Sequence, residues 1–188
     1  MDSKTDFNME QMEGAVRTLL TCLGEDISRE GLLDTPKRVA KMYMELTSGL
    51  RTPAPEVTTF SNGTYNQLIT VFDLEMASLC EHHCVPFVGK AHIGYIPGEH
   101  IVGLSKFGRI LDWFSRRLQI QEQLTEQVAD FIVEHLKPKG LIVVIEAQHM
   151  CMSIRGVRKP GHSTTTSAIR GNIPKEEFLS LMSVRNIK

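Results

Sequence analysis

At 188 residues, 41% hydrophobic and 23% charged, the chain is long enough to bury one core beside a smaller appendage, which excludes a disordered or fibrous protein. A formal net charge of -1 gives no global pull toward nucleic acid or an acidic membrane, so an anionic ligand must be gripped by local Lys and Arg. No run of about 18 apolar residues occurs, as a membrane span would need. The N-terminal MDSKTDFNME lacks the basic-then-apolar pattern of a signal peptide, so the expected location is cytoplasmic.

Met9, Met12, Val16, Leu19, Leu20 and Leu23 recur at three- and four-residue spacing, which predicts an amphipathic helix ending at Gly24. Thr35-Pro36 predicts an N-cap and first turn, followed by Val39, Met42, Tyr43 and Leu46 on one face and a stop at Gly49. The Met and Leu stripe is expected to be core or packing surface. Arg51-Thr-Pro-Ala-Pro55 is a stiff connector, and it divides an N-terminal helical extension, 1–55, from a main domain, 56–188.

In the main domain, 68–74 and 85–95 carry the β-branched and aromatic residues of two strands. Two helical patterns follow, Phe107, Ile110, Leu111, Phe114 and Leu118, then Leu124, Val128, Phe131, Ile132 and Leu136, with Pro138 and Gly140 as the stop. Residues 141–145 form an apolar run suited to a buried strand, 163–170 a Thr-rich partner, and 175–184 a last helix. The order ββααββ predicts an α+β fold.

Four cysteines, Cys22, Cys80, Cys84 and Cys151, are too few for a disulfide scaffold, so metal ligation or burial is their expected use. Ser78-Leu-Cys-Glu-His-His-Cys84 is the stretch densest in ligand and acid-base groups. Cys80 and His83, three apart, can meet in one turn and suit zinc. Further ligands would come from His149 and Cys151, which share a face if the strand from Leu141 continues through them. Two arrangements stay open on these residues: a closed structural site with four protein ligands, or three ligands plus water with spare histidines for acid-base work. A redox role for Cys80 and Cys84 is weaker, because the spacing is not Cys-X-X-Cys. Cys22 is expected to pack as a small hydrophobe.

Ser105, Lys106 and Arg109, at a predicted helix start, could bind phosphate, although alone they read as a solvated basic turn. Arg155, Arg158 and Lys159 after Cys151 shift that balance toward a substrate with several phosphates. Gln121-Glu122 opens the next helix; Glu122 is either a helix-dipole carboxylate or an acceptor for a purine's N1–H and exocyclic amine.

Together Ser78-Leu-Cys-Glu-His-His-Cys84, Gly103-Leu-Ser-Lys-Phe-Gly-Arg109, Gln121-Glu-Gln-Leu-Thr125 and His149-Met-Cys-Met-Ser-Ile-Arg-Gly156 closely resemble the GTP cyclohydrolase I family, from about residue 10 onward. The resemblance implies the tunnelling fold: a four-stranded antiparallel sheet with two helices on one face, joined side by side into barrels, two stacked pentamers making a homodecamer with active sites at subunit interfaces. It implies Cys80, His83 and Cys151 as ligands of Zn(2+), with a zinc-bound water hydrolysing GTP at purine C8. It further implies His149 as the donor of a proton to N7, and Ser105 and His82 as participants in the later sugar rearrangement. Gln121 and Glu122 would hold the purine, and Lys106, Arg109 and Arg155 the triphosphate, with Glu81 in support. The products would be formate and 7,8-dihydroneopterin triphosphate, at the entry to folate or tetrahydrobiopterin synthesis. Nucleic acid and membrane are not expected partners. Two rivals are a tunnelling-fold nitrile reductase using a nucleophilic cysteine and a nicotinamide cofactor, and a noncatalytic zinc assembly protein.

Overall fold

The computed structural model describes residues 6–184, so the first five residues of the stretch read for a leader and the last four of the expected main domain lie outside the described residues. The chain forms two compact units that meet between Pro53 and Ala54, inside the proline-bearing connector.

The first unit pairs helices α1 (Met9–Cys22) and α2 (Thr35–Leu46). Asn8 caps α1, its side chain accepting from the Gln11 N–H at 2.9 Å. Gly24, at φ +84, closes the helix with the Gly24 N–H on Thr21 O and the Glu25 N–H on Leu20 O, a Schellman arrangement that glycine adopts without steric cost. The expected start of α2 is corrected by one residue. Asp34 holds the N-cap position without a side-chain cap bond, and Thr35 is already helical; the Asp34 carboxylate instead pairs with Arg38 at 3.2 Å. After α2 a 3-10 turn, Ser48–Leu50, carries the chain through Gly49 rather than stopping there. Of the apolar stripe on α1 only Val16 is buried, while Leu19 and Leu23 are exposed, so most of the stripe is not core.

The second unit is α+β. Its strands are β1 (Thr59–Ser61), β2 (Ile69–Cys80), β3 (Pro86–Ile96), β4 (His100–Val102), β5 (Leu118–Gln119), β6 (Gly140–His149) and β7 (Thr164–Gly171). Its helices are α3 (Ser105–Ser115), α4 (Gln121–Leu136), α5 (Met150–Ser153) and α6 (Lys175–Val184). The main sheet runs β5-β2-β3-β6-β7, with β1 and β4 in a separate pair. The four long strands are antiparallel, but β5 lies parallel to β2 through Leu79↔Leu118 and Cys80↔Gln119. The sheet is therefore mixed and five-stranded, not four-stranded. Leu118, expected to extend the helix that begins near Phe107, belongs to this bridge instead.

Alternation along the strands divides the core in two. Phe87, Ala91, Ile93 and Tyr95 of β3 and Leu141, Val143 and Ile145 of β6 pack with Phe107, Leu111, Leu124, Val128 and Ile132 of α3 and α4. The opposite face presents Ile142 and Val144 to Phe178 of α6 and to Ile173. Residues 141–145 are apolar without alternation because both faces are covered there. Gly94 is needed on the α6 side, since a Cβ at that position would stand 2.6 Å from the Phe178 ring.

His92, on the α6 side of β3, is 5% exposed and accepts the Asp73 N–H at Nδ1, 3.2 Å away. Burial is the chief reason its imidazole titrates below the ordinary histidine value; Glu146 opposes the shift and Lys90 adds to it. The folded protein therefore resists a proton that the unfolded chain accepts. Stability should fall as the pH drops through about 6.5 and level off below the folded-state pKa. Denaturant titrations across pH 5 to 8 should show this slope in the parent protein and a shallower one in His92→Asn, the remainder coming from His149, whose imidazole is likewise lowered by burial; an unchanged slope would refute the assignment.

Candidate metal centre

The β2–β3 connection is a single tight turn. The Cys84 N–H donates to Cys80 O at 2.9 Å and the Cys80 N–H to Val85 O at 2.8 Å, while Cys84 takes φ +53. This turn folds His83 back over Cys80, bringing Nδ1 to 3.7 Å from Sγ. Cys151 completes the group: the three donor atoms lie within 4.8 Å of one another. Its route differs from the expected one. β6 ends at His149, and Cys151 sits on the short helix α5, so His149 and Cys151 are not alternate residues of one strand. A helical turn swings the thiol toward Cys80 and leaves His149 on its own.

The donor set fits a zinc ion. Zn–S near 2.3 Å and Zn–N near 2.0 Å in tetrahedral geometry place sulfur and nitrogen about 3.5 Å apart, close to the 3.7 Å found between Cys80 and His83. Burial first, then the neighbouring Cys80 sulfur, pushes the Cys151 thiol up, with Arg155 opposing. A thiol that resists becoming a thiolate becomes a good ligand once a cation lies beside it. Cys84 is exposed and stands outside the group. Three donors leave room for a fourth ligand.

His149 is held on three sides. Its ring stacks on Phe87 with centroids 4.7 Å apart and planes 8° from parallel, its Nε2 lies 2.7 Å from Gln121 Oε1, and its N–H donates to His162 Nε2 at 3.2 Å. The Gln121 amide is 1% exposed and spends its NH2 on Ile145 O, Thr164 O and Thr166 Oγ1. Its Oε1 is therefore the acceptor, and His149 Nε2 carries the proton. With its side chain so occupied, Gln121 does not present that amide to a ligand. Burial, followed by His162, keeps the His149 imidazole below the ordinary histidine value, against the pull of Glu122. Neutral His149 thus presents Nδ1 as its basic atom.

Other site residues expected from the sequence divide into two groups. Glu81 and His82 are exposed in the turn after Cys80, with the His82 ring edge-on to His83 at 6.1 Å. Glu122 is exposed in the first turn of α4. Arg155 Nη1 reaches His83 Nε2 at 3.2 Å. These gather at the Cys80 end of the sheet. Ser105, Lys106 and Arg109 do not: Phe107 beside them packs on Tyr95 at 5.5 Å, and Tyr95 and Phe87 stand at opposite ends of β3, some 25 Å of strand apart. The amides of Lys106 and Phe107 are bonded to Gly103 O and Leu104 O, so this helix start does not offer them as free donors.

A groove of about 720 Å³ lies on another part of the sheet, bordered by Asp73, Lys90, His92 and Glu146. None of the expected site residues lines it, and the chemistry points to the Cys80 end instead. Sequence reasoning missed Phe87 and His162. Phe87 carried no signal beyond its place in a predicted strand, and His162 becomes visible only once the β6–β7 register is known, since extending it from Ala147↔Thr164 sets His162 opposite His149.

A sequence profile described as GTP cyclohydrolase I matches residues 12–187. Among curated relatives, the GTP cyclohydrolase 1 of Bacillus subtilis is 53% identical over 168 residues, covering 88% of each chain. That of Mycolicibacterium gilvum is 51% identical over 175 residues, covering 92% of this chain and 87% of the relative. Among solved structures, the archaeosine synthase QueF-Like in the apo form is similar at TM-score 0.48 and 16% identity, over 57% of this chain and 96% of that one. By the extent of these sequence matches, the chain belongs to the GTP cyclohydrolase I family.

Proposed function

We propose that the protein is a zinc-dependent GTP cyclohydrolase I whose metal is held by Cys80, His83 and Cys151. The activity is that of the family: GTP is hydrolysed at purine C8 to formate and 7,8-dihydroneopterin triphosphate. The single observation that carries the zinc reading is the convergence of two sulfurs and one imidazole within 4.8 Å, with His149 nearby but outside the donor set. Bound at these donors, zinc would supply a Lewis acid and lower the pKa of a water.

The chain's own residues would do the rest. Glu122 accepts from the guanine N1–H and exocyclic amine, beside the main-chain N–H of Gln121, and orients C8 toward the metal. His149, neutral at rest with Nε2–H fixed on Gln121, takes a proton at Nδ1 from the attacking water and delivers it to N7. The imidazole ring then opens to a formamide, and a second water releases formate. Ser105 and His82 move protons in the Amadori-type rearrangement of the ribose that precedes ring closure. Arg155, Lys106 and Arg109 bind the triphosphate, with Glu81 supporting the turn beside them.

The separation of Ser105, Lys106 and Arg109 from Cys80 within one chain supports a site shared between protomers: one supplies the metal and purine-binding end, its neighbour the start of α3. This agrees with tunnelling-fold assembly through a ββααββ unit into a homodecamer, in which the open edges of β5 and β7 are covered. The exposed stripe of α1 would be packing surface in that assembly. Among the described residues no helix is long and apolar enough to cross a membrane, and a cytoplasmic location accords with the GTP substrate.

Purified protein given GTP should produce formate and a fluorescent pterin, and a chelator should stop it. Cys151→Ser should lose bound zinc, and its activity should fall by more than the roughly hundredfold typical of an outer-shell change; full activity in metal-free protein would refute the zinc reading. Glu122→Gln should lower kcat/KM for GTP by roughly ten- to hundredfold, the worth of a charge-assisted hydrogen bond. Inosine triphosphate, which lacks the amine, should lose less; equal losses would remove Glu122 from the purine edge. Finally, Cys151→Ser and Arg109→Ala, each inactive alone, should regain a measurable fraction of activity when unfolded together and reassembled. Absence of complementation would argue for sites built within one chain.

A further inference from the structure

The β6–β7 ladder runs to Ala147↔Thr164 and stops. The next outward-paired position would set His149 against His162, but there the chain has left the sheet for the segment joining α5 to β7. The His149 N–H at that position lacks a strand carbonyl to receive it. His162 supplies the acceptor from its side chain, with Nε2 at 3.2 Å. Its other nitrogen, Nδ1, lies 2.7 Å from Lys159 O. A carbonyl only accepts and an amide N–H only donates, so His162 is neutral, with the proton on Nδ1 and both nitrogens in use.

Between Ile154 and Ser163 every residue is exposed except His162, which is half-buried. This segment carries Arg155, Arg158 and Lys159, and it turns through three left-handed residues, Gly156 (φ +64), Arg158 (φ +49) and Gly161 (φ +83). No carboxylate pairs with its three cations among the described residues. Its later part is tied back to α5 by the Lys159 N–H on Met152 O at 2.9 Å. Toward its end the Lys159 carbonyl is linked through the His162 imidazole to the His149 main chain, and the neighbouring Ser163 Oγ donates to Glu146 Oε1 of β6 at 3.1 Å.

We propose that His162 is a positioning residue: it clamps the basic segment 154–161 to the main chain of His149, so that the segment's cations meet the substrate's phosphates in fixed register with the reacting purine. The proposal rests on the GTP cyclohydrolase I reading of the site. Without this link the segment would keep its bonds to Met152, His83 and Glu146 but the substrate would have to supply part of the ordering, and that cost appears as weaker binding of phosphate rather than as slower chemistry.

The test uses the zinc-loaded full chain and its variants His162→Ala and His162→Gln; the glutamine oxygen can stand where Nε2 accepts. Losing about one neutral hydrogen bond corresponds to roughly five- to tenfold in affinity. His162→Ala should therefore raise KM for GTP, and the calorimetric Kd for inorganic triphosphate, by that factor while kcat changes by less. His162→Gln should recover most of both. Unfolding midpoints and zinc content should match the parent. Parental KM and triphosphate affinity in His162→Ala, or a glutamine variant as impaired as alanine, would overturn the proposal. Triphosphate binding is read without turnover, so a parent protein unable to convert GTP would count against the reading of the site and leave the clamp judged on its own data.

Discussion

Phe87 is paired with Ser78 of β2 on one side and with His149 of β6 on the other, and the site depends on that three-strand register. Its ring is fully buried and supports the His149 imidazole face to face. Two residues beyond Ser78 comes Cys80, and two beyond His149 comes Cys151, so the same pairing that aligns the strands brings both thiols to one end of the sheet. A slip of one residue would turn the buried set of β2 to the opposite face and carry Cys80 away from Cys151. The large apolar area covered by α3 and α4 is what makes such a slip prohibitive.

On this frame the polar groups are closed off with unusual thoroughness. Gln121 uses its amide hydrogens on β6 and β7 and its oxygen on His149, and Thr125 joins the same network through Thr166 at 2.7 Å. Fully satisfied buried networks specify one geometry, whereas partly satisfied ones cost free energy. The result is a histidine whose tautomer is set by its neighbours. Its rigidity comes from strand and helix ends rather than from loops, a requirement for holding reacting atoms to within about half an ångström.

The metal-ligand turn and the basic segments are built on the opposite logic. Apart from buried Cys80 and half-buried Cys151, their side chains are largely exposed, as groups must be if they are to exchange water for phosphate oxygens. Arg155 reaches the centre directly, whereas Lys106 and Arg109 stand at the far end of the sheet. On the proposed reading, groups divided in this way would make assembly a condition of function, and β5 and β7, at the margins of the five-stranded sheet, would be the edges along which protomers join.

Much of this was legible in the sequence because it is local. Helical spacing located α3, α4 and α6, β-branched runs located β2, β3, β6 and β7, and the crowding of Cys80, His82 and His83 marked the end of the sheet where the candidate site lies. The motifs' resemblance to one family carried the activity. Other features were decided only by tertiary structure, because they depend on pairing between distant segments. The two-residue strand β5 has no periodicity to read, and Leu118 fits a helical pattern until β2 claims it. Continuation of β6 through Cys151 looked natural from its apolar run, yet the chain turns into α5, and that turn separates Cys151 from His149. Gln121 reads as a ligand-facing residue at a helix start, but the carbonyls of β6 and β7 draw its side chain inward. Sequence alone determined which chemistry is present; the strand register determined which atoms meet, because distances between segments far apart in the chain are set by packing rather than by spacing along it.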